Sequence, residues 1–240
     1  MSFAHDASTG LLRAVKALFP EAVANPDVRR RFHAEARVAA RIGSAHVVEV
    51  SDTGIDRETG APYLAMEFLD GETLAARVKR DGPLSHMEAA AMFAELGDAM
   101  GAAHDRKVLH LDLKPENLFL ARLTLRNVTR PVLKVLDFGI TKVIGNSRSF
   151  TAQDVAIGSP LWMPPEQTEP GRELRPSTDV WPIGLIAFWA LTGRAYWRSA
   201  QRPGAAVHAL LLDVLGSPLE PASVRAASFG FPPDTDTSQF

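Results

Sequence analysis

Cysteine is absent from the 240 residues, which excludes disulfides, thiolate zinc sites, iron–sulfur clusters and a cysteine nucleophile, and fits a reducing compartment. Excess charge of either sign is also missing. With 26 Lys+Arg against 28 Asp+Glu the formal net charge is −2, so no overall field exists to hold nucleic acid or an anionic membrane surface. Any anionic ligand must be gripped by particular residues. Long hydrophobic runs are lacking as well: the most apolar window, Val180 to Leu191, contains Pro182 and Gly184 and is about half the roughly 20 residues a bilayer span needs. It reads as a buried core helix. Met1 to Gly10 carry His5 and Asp6 and no basic start followed by an apolar run, so no signal peptide is expected and the cytoplasm is the expected location. No repeat of solenoid length and no long low-complexity tract occurs.

What is present is an ordinary globular composition, 46% hydrophobic and 22% charged, with length enough for one large domain or two small lobes. The apolar run Leu11 to Leu18 with its single Lys16 suits a strand. Asn25-Pro26-Asp27 caps a helix whose Phe32, Ala36, Ala39, Ile42 stripe ends at Gly43 and carries Glu35 near its middle. Val47 to Val50 and Tyr63 to Glu67 read as a hairpin joined by the turn-rich stretch Thr53 to Pro62. Ser85 with Glu88 three residues on is a capping box, and Ala89, Met92, Phe93, Leu96, Met100 and Ala103 keep helical spacing as far as His104. Short strands are expected at Leu118 to Leu120 and Val132 to Leu136 around a polar connection, and a second long helix from about Thr178 to Leu191. A composition shift at Gly71-Glu72 marks a boundary between a strand-rich first third and a helix-rich remainder.

The chemistry concentrates in two segments. His110-Leu111-Asp112-Leu113-Lys114-Pro115-Glu116-Asn117 follows the long helix, and Asp137-Phe138-Gly139 follows an apolar strand. Three oxygen acceptors (Asp112, Asn117, Asp137) and one cation (Lys114) thus stand on loops at element ends. That inventory suits phosphoryl transfer, in which a protein positions the groups, holds Mg²⁺ through oxygen ligands and neutralises phosphate charge.

These segments resemble the catalytic loop and the Asp-Phe-Gly motif of protein kinases. Ala14-Val15-Lys16 is similar to the family's third strand, with Glu35 standing 19 residues after Lys16. Ser159 to Glu166 resembles the end of the activation segment, with Pro164 where alanine is usual. Asp179-Val180-Trp181 resembles the start of the large lobe's central helix. The resemblance implies an α+β, bilobal kinase-like fold: a small, incomplete antiparallel-sheet N-lobe over 1–69 and a mainly helical C-lobe over 70–240. It implies a bacterial-type serine/threonine protein kinase using ATP and Mg²⁺ on the Ser/Thr hydroxyl of a protein substrate. The implied catalytic residues are Asp112, which accepts the substrate proton, and Lys114, which steadies the transferring phosphate. Lys16, oriented by Glu35, would contact the α and β phosphates, and Asn117 and Asp137 would hold the metal. Met66 corresponds to the gatekeeper, with the Glu67 carbonyl and Leu69 amide offered to adenine, and Asp179 is a brace. Thr141, Ser147, Ser149 and Thr151 fall in the implied activation segment, where plain loop polarity and phosphorylation are both open readings.

Four departures accompany the resemblance. The family's glycine-rich loop ends roughly 17 residues before the strand lysine, which places it before Met1, so the chain is expected to begin inside the second strand and to leave the Lys16 strand as a sheet edge. The last helices, with the arginine that partners the glutamate matching Glu166, are expected to be missing. Without two or three backbone N–H bonds to phosphate, at roughly 1.5 to 3 kcal/mol each, efficient catalysis by this chain alone is not expected. Leu111 replaces the arginine that in many kinases receives the activation-segment phosphate, so activity is expected not to depend on that phosphate. Finally, Asp137 lies 25 residues after Asp112, against about 18 in the family. The surplus is expected in an Ala121 to Pro131 hairpin. A different class of function, a catalytically weak or inactive pseudokinase serving as an interaction module, is the alternative; retention of Lys16, Glu35, Asp112, Lys114, Asn117 and Asp137 favours the enzyme.

Overall fold

Leu12–Ala17 is a strand in which Ala14 is buried and Lys16, two residues on and hence on the same face, is half-buried. A computed structural model describes residues 2–6, 9–17, 41–125, 128–138, 142–143, 160–169, 171–201 and 207–231. The expected helix around Glu35, and Thr141, Ser147, Ser149 and Thr151 of the implied activation segment, lie outside them. Strands β1 (Ser2–His5), β2 (Leu12–Ala17), β3 (Val50–Ile55) and β4 (Pro62–Glu67) form an antiparallel sheet in the order β1-β2-β4-β3. Strand β2 is therefore internal, paired to β1 on one side and β4 on the other. The expectation that the Lys16 strand is a sheet edge is corrected for Leu12 to Val15: the four residues of β1 pair with them, because the Asp6–Gly10 turn, with Gly10 at φ +69°, folds the chain straight back.

The β3–β4 hairpin also departs from expectation. Its first strand is Val50–Ile55 and not Val47 to Val50; Val47 makes only a single parallel bridge to Val135. Thr53, Gly54 and Ile55, read as turn, pair with Leu64, Tyr63 and Pro62. Gly54 signals a turn by composition, yet here it makes room for the Tyr63 ring, which a Cβ would meet at 2.6 to 2.7 Å. The turn itself shrinks to Asp56–Ala61, where the Asp56 carboxylate accepts from the Glu58 and Thr59 N–H groups and the Thr59 hydroxyl.

Past Glu67, β5 (Gly71–Thr73), β7 (Leu118–Leu125) and β8 (Val128–Val135) form a second sheet, and β6 (Val108–Leu109) pairs with β9 (Lys142–Val143). Gly71 lies against β7 so closely that any side chain there would collide with the Leu120 carbonyl. The β7–β8 hairpin is longer than the two short strands expected, with eight residue pairs from Leu118↔Val135 to Leu125↔Val128. Its supposed polar connection is ladder: Thr124 and Thr129 hydroxyls meet across the strands at 2.8 Å, Arg122 pairs with Asp70, and Arg130 with Glu95. The Ala121 to Pro131 segment expected as a hairpin lies within this ladder.

Helix α1 (Leu74–Asp81) precedes α2 (His86–Asp105), whose start and length match the sequence reading. The capping box forms as expected: the Glu88 carboxylate accepts from the Ser85 N–H at 2.8 Å, and the Glu88 N–H donates to the Ser85 hydroxyl at 3.2 Å. The remainder is α3 (Pro165–Thr168), α4 (Pro176–Thr192), α5 (Val207–Gly216) and α6 (Ala222–Ala227). Helix α4 begins two residues before the expected Thr178 and runs unbroken through Pro182, ending at Gly193 with φ +66°. An aromatic group, with Trp162 against Trp189 and Phe188 and Trp197 against Tyr196, packs around it, and the buried Arg225 donates to the Tyr196 carbonyl. The chain groups into two compact units, residues 1–76 with 91–147, and residues 77–90 with 148–240.

The Glu88 carboxyl is held below its ordinary value of 4.5, first by the Ser85 backbone N–H and then by the Ser85 hydroxyl. A lowered folded value means that this contribution is present above the ordinary value and disappears as pH falls through the folded one. Ser85→Ala should lose about 1 kcal/mol in urea denaturation at neutral pH. The stability gap between the wild type and Glu88→Ala should narrow on acidification.

Candidate active site

Each candidate side chain in the first unit is placed by an element end. Lys16 sits opposite Leu64 in the β2–β4 ladder, and its ammonium donates to Asp137 Oδ1 at 2.8 Å. Asp137 stands two residues beyond β8 with φ +52°, in a left-handed conformation that a non-glycine residue adopts rarely. The neighbours on both sides hold it there. The Leu136 N–H donates to the Asn117 carbonyl at 2.8 Å, and Phe138, 1% exposed, lies with its ring 4.6 Å from that of His110.

His110 is wholly buried and joins the two loops. The Asp112 N–H donates to its Nδ1 at 3.2 Å, which leaves Nε2–H to donate to the Leu136 carbonyl at 3.0 Å. Both ring nitrogens are thereby spent on backbone, and the loop bearing Asp112 is tied to the loop bearing Asp137. Leu111 between them is buried at φ +64°, an apolar filler where the resemblance has an arginine.

Asp112, Lys114 and Asn117 form a second cluster. Lys114 donates to Asp112 Oδ2 at 2.7 Å, and the Asn117 amide donates to the Asp112 carbonyl at 2.8 Å and to Oδ2 at 3.4 Å. The spacing arises from a single 3₁₀ turn, Pro115–Asn117, whose proline occupies a first-turn position that needs no N–H donor. The link from Leu136 to Asn117 connects this cluster to the Lys16–Asp137 pair. Glu35, the expected partner of Lys16, lies outside the described residues; Asp179 is fully buried on α4 in the second unit.

An apolar wall adjoins the charged groups. Ala14, Val48, Leu64 and Met66 form a buried cluster against which Val50, Leu69 and Leu136 pack. Met66 and Leu69 were expected at a base-binding edge, whereas Ala14 and Leu136 carry no chemistry that would mark them in a sequence. Glu67 at the end of β4 donates its N–H to the Glu49 carbonyl at 2.9 Å, and its carboxylate receives Lys134 at 2.6 Å. Lys134 also escapes sequence reasoning, since alternation along β8 makes it an ordinary outward-facing residue.

The donor set suits Mg²⁺, a hard cation that takes oxygen ligands and keeps several waters. Among the described residues no three His, Cys, Asp or Glu side chains gather into a metal cluster; the oxygen donors on these two loops are the carboxylates of Asp112 and Asp137 and the amide oxygen of Asn117.

The sequence profile described as Protein kinase domain matches residues 2–215. The chain belongs to the protein kinase family. It is homologous to bacterial serine/threonine protein kinases: Pkn1 of Myxococcus xanthus is 41% identical over 187 residues, 78% of this chain and 26% of that protein. PknB of Mycobacterium leprae is 34% identical over 183 residues, covering 75% of this chain and 28% of that protein, and PknB of Mycobacterium tuberculosis is 33% identical over 184, with the same two shares. The chain thus spans about a quarter of the length of the curated relatives it matches. The mixed fold of this kinase domain, an N-terminal antiparallel sheet followed by a helical C-terminal region, agrees with the expected class. Among the described residues no helix is long and apolar enough to cross a membrane.

Replacing His110 tests the tie between the loops of the kinase domain. His110→Phe keeps an aromatic ring but leaves the Asp112 N–H and Leu136 carbonyl unpaired, and should cost at least about 1 to 3 kcal/mol in denaturant midpoint analysis. His110→Ala adds a cavity and should cost more.

Proposed function

We propose that this domain transfers the γ-phosphoryl group of ATP to a Ser or Thr hydroxyl of a protein substrate, in the cytoplasm. The observation that supports this reading most strongly is the meeting of the Lys16–Asp137 pair with the Asp112–Lys114–Asn117 cluster through the Leu136–Asn117 backbone bond. In this reading residues 1–69 make up the small lobe and 70–240 the large one.

Asp112 accepts the proton of the substrate hydroxyl as its oxygen bonds to the γ-phosphorus and the bond from that phosphorus to the β–γ bridging oxygen breaks, releasing ADP. Lys114, already on the Asp112 carboxylate, faces the negative charge on the transferring group. Lys16, oriented by Glu35, binds the α and β phosphates. Asn117 and Asp137 would hold Mg²⁺, which when bound would offset charge on the phosphate oxygens. Adenine lies along the wall containing Ala14, Leu69 and Leu136, with the Glu67 carbonyl and Leu69 N–H as its polar edge. Leu111 brings no cation to the catalytic loop, so activity is independent of a phosphate paired at this position.

Phosphate transfer from labelled ATP to a generic protein substrate is the direct test. Asp112→Asn should lower incorporation by about 10² to 10⁴, and Lys16→Met should lower it through weaker ATP binding. Equal incorporation by the wild type and Asp112→Asn would overturn the enzymatic reading in favour of an interaction module. Phosphatase treatment of the active protein should leave its rate unchanged if Leu111 has the consequence stated.

A further inference from the structure

Lys134 makes a contact that the reaction chemistry leaves unused. Its ammonium lies 2.6 Å from Glu67 Oε1, and the two side chains are 17% and 23% exposed. The same carboxylate oxygen accepts the Glu49 N–H at 2.9 Å, while the Glu67 N–H donates to the Glu49 carbonyl at 2.9 Å. Glu67 therefore grips Glu49 through both its backbone and its side chain, and Lys134 neutralises the carboxylate that does half of this. A freely hydrated surface pair would contribute little, because water replaces either partner. Here the oxygen is shared and most of both side chains is withdrawn from solvent.

The position of Lys134 in the fold gives the contact a consequence. Strand β8 is anchored along its end: the Leu133 N–H donates to Glu95 at 2.7 Å, the Val135 N–H donates to the His46 carbonyl at 2.7 Å, and the Val48 N–H donates to the Val135 carbonyl at 3.0 Å. Three residues past Lys134 comes Asp137, bound to Lys16. One short, well-anchored segment thus carries the metal-side carboxylate at its end and the cation that holds the end of β4. We infer that Lys134 is a positioning residue for the nucleotide: by holding the Glu67 carboxylate it fixes the strand end whose backbone groups at Glu67 and Leu69 meet the adenine, at a set distance from the phosphate end at Asp137. The inference rests on the adenine reading given under Proposed function. Lys134 touches no reacting atom; it acts through Glu67.

The test compares two ligands on the full 240-residue chain in the presence of Mg²⁺: ATP, and inorganic tripolyphosphate, which has the phosphate end and no base. Calorimetric titration should show ATP affinity lowered about three- to tenfold in Lys134→Ala, the scale of losing one half-buried ion pair, with tripolyphosphate affinity unchanged. Glu67→Gln keeps an acceptor for the Glu49 N–H while removing the charge pair, and should show the same selective loss. Lys134→Arg should stay within about twofold of the wild type, because a guanidinium can still reach the carboxylate. Circular dichroism checks folding; if Lys134→Ala does not fold, Glu67→Gln decides the matter alone. Unchanged ATP affinity in the folded variants, or an equal loss for both ligands, overturns the positioning role while leaving the adenine reading intact. A wild type that binds ATP no better than tripolyphosphate overturns the adenine reading, and this inference with it.

Discussion

Lys16 and Asp137 lie 121 positions apart in the chain and 2.8 Å apart in space, and the charge arrangement of the site depends on that pair. With about a third of each side chain still exposed, the pair adds little to folding stability. Its significance is electrostatic: a carboxylate and an ammonium hold each other in position at low energetic cost. In the proposed reaction, partners with about a third of each side chain exposed are open to sharing with a phosphate and its cation. For the pair to form, β2 must keep its register against β4, and Asp137 must be held in a left-handed backbone conformation.

The second condition is met by the surroundings of Asp137 and not by its own preferences. Leu136 bonds to Asn117 through its N–H and to His110 through its carbonyl, and Phe138 is buried beside the same imidazole. A strained residue persists where its neighbours over-determine it. His110 thereby couples the loop bearing Asp112 to the loop bearing Asp137 through its two ring nitrogens. Strand β8 extends the same framework outward through Glu95, His46 and Lys134, so the residues on either side of the apolar wall share one support.

Much of this was legible beforehand. HLDLKPEN and DFG are contiguous motifs whose spacing is set by a single turn, so local sequence is enough to identify them. The capping box at Ser85 and Glu88 is equally local, and α2 starts where it indicates. Other features were hidden for definite reasons. Gly54 is a turn former by composition but occupies a strand to admit the Tyr63 ring, a demand made by a residue nine positions away. Thr124 and Thr129 look like loop residues singly and become ladder only when paired. Ala14, Leu136 and Lys134 have no distinctive chemistry, and their importance comes from what stands opposite them.

By itself the sequence determined the class of chemistry, because the residue types able to hold phosphate, magnesium and a transferred proton are few and their local spacings are rigid. It also determined the long helices, whose hydrophobic period and caps are properties of neighbouring residues. Only the tertiary structure decided that β2 is an internal strand, that the hairpin after Asn117 is one continuous ladder, and that Glu67 answers to Lys134. Each of these depends on which backbone groups and charges meet across long stretches of chain, and such pairings follow from the combined burial and hydrogen bonding of the whole fold.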